Sequence, residues 1–143
     1  MSDQKLANLG GKGERALILY DGICVVCSGW FRFVARRDVE RRFMFTAIQS
    51  DYGRALARKL AIDPDNPETN AVLLDGDVYL YSDSALAVLS TLPYWRWTQV
   101  FKGVPTPLRD RIYRVIARNR YRLWGRRDAC YLGGAEFADR VIS

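Results

Sequence analysis

The stretch that decides the reading is Arg15-Ala16-Leu17-Ile18-Leu19-Tyr20-Asp21-Gly22-Ile23-Cys24-Val25-Val26-Cys27. Its first half, Arg15 to Tyr20, is a short apolar run bounded by Gly13 before it and Asp21-Gly22 after it, which reads as a buried strand. The Asp-Gly turn hands the chain directly to the two cysteines. From Val25 to about Arg37, Val26, Trp30, Phe33 and Val34 recur at i, i+4, i+7 and i+8 while Arg32, Arg36 and Asp38 take other faces, which is helical spacing. Cys24 is thereby expected just ahead of a first helical turn and partly exposed, with Cys27 one turn on and tucked beneath it.

Working outward, Phe43 to Ile48 is a second strand candidate, and Ser50 is positioned to cap a helix that buries Leu56 and Leu60. Asp63 to Pro67 is a Pro-Asp loop that cannot continue a helix. Ala71–Leu74 and Val78–Tyr81 flank Asp75-Gly76-Asp77 and read as a tight antiparallel hairpin. Ser82 is expected to cap the next helix, which runs through Leu92 with Ala85, Leu86, Leu89 and Leu92 buried, and Pro93 stops it. The order strand, helix, strand, helix, strand, strand, helix packs most economically as one mixed sheet with helices on its faces, because a right-handed crossover makes the first two strands parallel and the hairpin adds an antiparallel edge. This is an α/β fold with thioredoxin-like order.

Beyond it come an aromatic patch of Tyr94, Trp95, Trp97 and Phe101 and a helix from Pro107 to about Leu123, ended by Gly125, with Leu108, Ile112, Val115, Ile116 and Leu123 expected to pack inward. Last are Cys130 and a short helix near Ala135 to Val141. The expected organisation is a loose tail over 1–13, a thioredoxin-like domain over 14–93 and a helical extension over 94–143 packed on that domain.

The chain of 143 residues is 49% hydrophobic, enough to bury one core. No stretch approaches the roughly 18 uncharged apolar residues of a membrane span, and residues 1 to 12 resemble neither a secretory signal nor a transit peptide. The three cysteines are an odd count, with two of them two residues apart, so a reducing, cytoplasmic setting fits better than a secreted disulfide scaffold. The absence of histidine removes Ser-His-Asp and Cys-His catalysis and two-histidine zinc sites, and no cofactor site is read. Chemistry must rest on Cys, Asp, Glu, Tyr, Lys or Arg.

A thiol attacks a disulfide as its thiolate, which is favoured where unpaired backbone N–H groups and the positive end of a helix dipole face the sulfur. Cys24 occupies that place and is assigned as nucleophile, with Cys27 as the resolving thiol that closes an intramolecular disulfide and releases the partner. Asp21 has two readings: an Asp-Gly turn residue that caps, or a carboxylate that opposes ionisation of Cys24 and accepts the proton of Cys27. Other uses of the pair are simple packing, or a metal-binding, non-catalytic module that would recruit Cys130 and a fourth ligand such as Asp21 or Asp128.

Tyr20-Asp21-Gly22-Ile23-Cys24-Val25-Val26-Cys27 resembles the signature of the DCC family of thiol-disulfide oxidoreductases, named for an Asp-Cys-Cys triplet. The similarity runs on through Arg36-Arg37-Asp38, Phe43 to Gln49, Ser82-Asp83-Ser84-Ala85, and Arg118-Asn119-Arg120-Tyr121-Arg122 to Gly125-Arg126-Arg127-Asp128-Ala129-Cys130, covering roughly residues 15 to 132. It implies a thioredoxin-like fold and a redox pair at Cys24 and Cys27, but no particular substrate; from the dithiol chemistry itself the expected partner is a disulfide-containing protein or a small thiol, with the reducing partner left open. In one respect the chain departs from thioredoxins, which place a cis-proline directly before the third strand to help hold a substrate chain. Here Glu68-Thr69-Asn70 stand there, and the nearest proline is Pro67.

Among the remaining residues, Cys130 is read as buried in the extension. Arg109, Arg111, Arg114, Arg118, Arg120 and Arg122, which contribute to a net charge of +6, are spread round their helix as a solvated face with some ion pairs rather than an anion site. Trp95, Trp97 and Trp124 are taken to bury the extension against the domain rather than to serve as a nucleic-acid or membrane surface.

Overall fold

The computed structural model describes residues 15–65, 69–92, 94–125 and 137–142. Four helices, α1 (Val25–Arg37), α2 (Asp51–Lys59), α3 (Tyr81–Thr91) and α4 (Thr106–Trp124), accompany five strands, β1 (Ala16–Tyr20), β2 (Phe43–Ala47), β3 (Ala71–Leu74), β4 (Asp77–Leu80) and β5 (Val141–Ile142). The strands form one mixed sheet in the order β4-β3-β1-β2-β5, with β1 parallel to β2 and antiparallel to β3. This is the thioredoxin-like arrangement the element order implied.

Alternation along β1 explains why its whole run is apolar. Ala16, Ile18 and Tyr20 face a core with Phe31, Val34, Phe43, Phe45, Val88 and Leu92, while Leu17 and Leu19 face away toward Met44, Ile48 and Ala57. A strand buried on both faces has no polar positions to spare. In α1 the buried stripe is Cys27, Phe31, Val34 and Ala35, with Trp30 and Phe33 partly buried against it; the side chains of Val26 and Trp124 lie outside the described part.

Local chemistry sets the boundaries. Ser50 Oγ accepts the Gly53 N–H at 3.0 Å and starts α2 as expected. Gly53 itself is required, since a Cβ there would stand 1.8 Å from the Ala47 carbonyl oxygen. At the hairpin, Asp75 (φ 52°) and Gly76 (φ 86°) both take left-handed backbone, as a two-residue primed turn demands. Gly125 (φ 86°) follows α4 in the same region. Pro93 lies outside the described residues, and α3 ends at Thr91 with an extended Leu92 behind it.

Four expectations need correction. Ser82 does not cap α3: β4 lies one residue earlier than expected, its last residue Leu80 is the N-cap, and no side chain caps it. Instead Asp110 of α4 accepts the Ser82 N–H at 3.3 Å and its hydroxyl at 2.5 Å, so a carboxylate from another helix serves the positive end of α3. The short C-terminal helix is, over its described residues, a 3-10 turn (Ala138–Arg140) leading into β5, which pairs parallel with β2. Two residues are too few to carry a periodic signal.

The third correction concerns α4, whose apolar residues do not pack inward. Leu108, Ile112, Val115, Ile116 and Leu123 are 46–65% exposed. The face turned to the domain is the stripe Arg109, Tyr113, Ala117 and Arg120, at i, i+4, i+8 and i+11, because its partners there are polar groups of the β1–α1 turn, α3 and the β3 lead-in. Fourth, only Trp95 of the aromatic patch packs on the domain, its ring edge-on to Phe33 at 5.1 Å. Trp97 and Phe101 remain 60% and 48% exposed along a 3-10 helix (Arg96–Gly103).

Candidate active site

The carboxyl ends of the parallel strands β1 and β2 lie side by side, with Tyr20 opposite Ala47. Asp21 follows one strand and Gln49 follows the other, and the gap between them opens on the start of α1. Asp21 is 1% exposed and fully engaged. One carboxylate oxygen accepts from the Ile23 N–H at 3.1 Å and the Gln49 side-chain amide at 2.7 Å, while the other accepts from Arg120 Nη2 at 3.2 Å. Gln49 returns a bond by accepting the Gly22 N–H at 2.9 Å. Asp21 is thus the turn-capping residue of one expectation, and its charge also lies beside both thiols, as the other required.

This framework fixes Cys24 as the N-cap of α1, with extended backbone (φ −82°, ψ 125°) and its sulfur accepting the Cys27 N–H at 3.4 Å. A sulfur in that position takes the place of a capping oxygen and meets the positive end of the helix. The two cysteines come within 3.2 Å of each other. The Cys27 thiol also faces Asn70 Oδ1 at 3.9 Å, and Asn70 in turn donates its backbone N–H to the Tyr113 hydroxyl at 3.2 Å.

The two sulfurs are driven apart in acidity. Cys24 is lowered from 9.0 to about 7, first because the Cys27 thiol donates to its thiolate, against the cost of burial; the Cys27 N–H and the Arg120 charge help, and Asp21 opposes. Cys27 is pushed well up, first by that same donation to Cys24, then by burial and by the neighbouring thiolate. One proton shared by two sulfurs, held by Cys27, describes the reduced pair near neutral pH.

Exposure departs from expectation. Cys24 is fully covered and Cys27 is 8% exposed, the reverse of an open Cys24 above a hidden Cys27. Arg120, itself 6% exposed, reaches from α4 to Asp21, and its charge acts on both thiols. Arg109, bonded to Asp83 at 2.8 Å, also turns inward, so the solvated-face reading of the α4 arginines fails at these two positions. A cavity of about 210 Å³ between α1, α3 and α4 includes Asp21, Cys27, Asn70, Tyr113 and Arg120 in its wall. Sequence reasoning missed Gln49, Asn70, Tyr113 and Arg120. The spacing Tyr113, Ala117, Arg120 is a helical stripe that could have found two of them, had polar residues been weighed as an inward face.

Among the described residues no group of three His, Cys, Asp or Glu could hold a metal ion; Cys130 and Asp128, which the metal reading needs, lie outside them. Residues 18–126 match the model of the DCC1-like thiol-disulfide oxidoreductase family. The chain belongs to that family. This DCC1-like protein is 34% identical over 127 residues to the uncharacterized protein YuxK of Bacillus subtilis (strain 168), covering 88% of this chain and 93% of the relative. It is 33% identical over 122 residues to the DCC family protein At1g52590, chloroplastic, of Arabidopsis thaliana, covering 83% and 70%. No solved structure matches it significantly.

Proposed function

We propose that this DCC1-like protein is an enzyme that reduces disulfides by dithiol exchange through Cys24 and Cys27. The observation that carries the reading is the pairing of opposite acidities one helical turn apart: a sulfur at a helix N-cap lowered to about 7 beside a second sulfur that keeps its proton. An attacking thiol works best with its pKa near ambient pH, and Cys24 meets that condition. The family description supports the same chemistry.

In the forward direction the Cys24 thiolate attacks one sulfur of the substrate disulfide, whose S–S bond breaks as Cys24 joins one half and the other half leaves as a thiolate. Cys27 then loses its proton and attacks the Cys24 sulfur. The second half of the substrate leaves, and a Cys24–Cys27 disulfide remains. Two electrons have passed to the substrate, and two protons end on its two thiols. Asp21, in the cavity wall with Cys27, is the base that receives the Cys27 proton, with Arg120 and Gln49 holding the carboxylate in place. A cytoplasmic, reducing setting suits a pair that begins its cycle as dithiol; no described helix is long and apolar enough to cross a membrane, and the Arabidopsis relative is named chloroplastic.

Stopped-flow exchange with a small disulfide, followed by mass analysis after acid quench, tests this. Cys24→Ser is expected to abolish exchange, and Cys27→Ser to accumulate a mixed disulfide on Cys24. Wild-type rates in both variants would sink the proposal.

A further inference from the structure

Resting on the exchange reaction proposed above, we infer that the cavity beside Cys27 is a substrate site for compact, uncharged, low-molecular-weight disulfides, and that Asn70 before β3 is closed to polypeptide substrates.

Size and lining come first. About 210 Å³ lies below the roughly 300–1,000 Å³ of ligand pockets in general, room for two sulfurs with short substituents. Trp30, Ala85, Ile116 and Ala117 give it apolar walls. Its charged members, Asp21 and Arg120, are bonded to each other at 3.2 Å, so a charged substrate meets no net counter-charge. Cys27 is in the wall and Cys24 is one sulfur removed. The reacting end is therefore lined by polar groups and the Cys27 sulfur, with the buried Cys24 sulfur behind it, and the rest is apolar.

The second argument is what an extended peptide would need. A polypeptide docks beside a sheet by exchanging main-chain hydrogen bonds, with side-chain pockets adding selectivity. Asn70, whose side-chain oxygen faces Cys27, has both main-chain groups in use: its N–H goes to the Tyr113 hydroxyl at 3.2 Å, and its carbonyl accepts from the Thr69 hydroxyl at 2.6 Å. Beyond Asn70, β3 is paired on both sides, by β1 and β4. The Tyr113 phenol, held by burial well in its neutral form, stands where a substrate carbonyl would accept. Helix α4 thus supplies the phenol that blocks a peptide and Ala117, with the half-exposed Ile116 at the rim of the slot.

Each step balances as in the exchange above: one substrate S–S bond breaks, the Cys24–Cys27 bond forms, and the substrate leaves as two thiols. The test uses the full-length reduced protein mixed with 2-hydroxyethyl disulfide, glutathione disulfide or insulin. Each second-order rate is divided by the rate of the same disulfide with free dithiothreitol. The normalised rate with 2-hydroxyethyl disulfide is expected to exceed the other two at least tenfold. Ala117→Leu, which fills the slot from α4, is expected to slow that substrate tenfold or more and the other two less than twofold. If that variant fails to fold, Ile116→Trp, at a position 46% exposed, narrows the same cavity with the same expected pattern. Insulin or glutathione disulfide reacting as fast as the small disulfide, or a folded cavity variant with unchanged rates, overturns the inference and leaves the exchange reaction standing. If no disulfide oxidises the pair, the exchange reading falls and takes this one with it.

Discussion

Replacing Asp21 with asparagine separates the two jobs of that carboxylate, because they change rate in opposite directions. Its charge raises the pKa of both thiols, so Asp21→Asn is expected to lower the Cys24 midpoint below about 7 and speed the first attack near pH 6. In the proposed mechanism the same change removes the base for Cys27, so the mixed disulfide should persist longer before the second attack. Quench-flow capture of the intermediate checks both; a faster resolution step in the variant would contradict the proton-accepting role. Cys24, Cys27 and Asp21 were legible from sequence because strand, Asp-Gly turn and helix start are local patterns. Gln49 and Arg120 were not. They complete the site from 28 and 99 residues away, and the one local signal, the Tyr113, Ala117, Arg120 spacing, is masked by the apolar stripe beside it.

At the scale of elements, α4 shows why composition misled. An apolar stripe at helical spacing ordinarily marks the buried face, yet here the domain side of the groove is built from Asp21, Ser82 and Asp83, so the helix turns its polar stripe inward to meet them. Ile112→Ala should therefore change unfolding free energy by no more than ~0.5 kcal/mol, as for a surface position. A loss of several kcal/mol would put that face in a core. The opposite case is Asp38, which ends α1, accepts the Arg42 and Phe43 N–H groups at 3.0 and 2.8 Å, and pairs with the buried Arg140 beside β5. Asp38→Ala strands that guanidinium in the interior and should cost about 3–5 kcal/mol, read by urea denaturation. β1, α1, β2, α2 and the β3–β4 hairpin were readable because period and turn chemistry agree there. β5 was not, since its pairing depends on β2 and on Arg140 bonding to the Phe43 carbonyl at 3.0 Å.

For the molecule as a whole, the displaced thiol acidities link stability to pH. Between pH 7 and 9 the unfolded reduced chain still holds a proton on Cys24 that the folded chain has released, so stability of the reduced protein should rise with pH across that window. Above 9 the folded state keeps the Cys27 proton that the unfolded state loses, and stability should fall again. Urea midpoints of the reduced protein against pH test this, with Cys24→Ser expected to erase the rise. All of it depends on one ionised sulfur, and the ultraviolet absorbance of the thiolate, titrated in the reduced protein, observes that sulfur without requiring a reagent to reach it. The account expects a single thiolate appearing with a midpoint near 7, moving up toward 9 in Cys27→Ala. A first thiolate appearing only at 9 or above in the unmodified protein would contradict it.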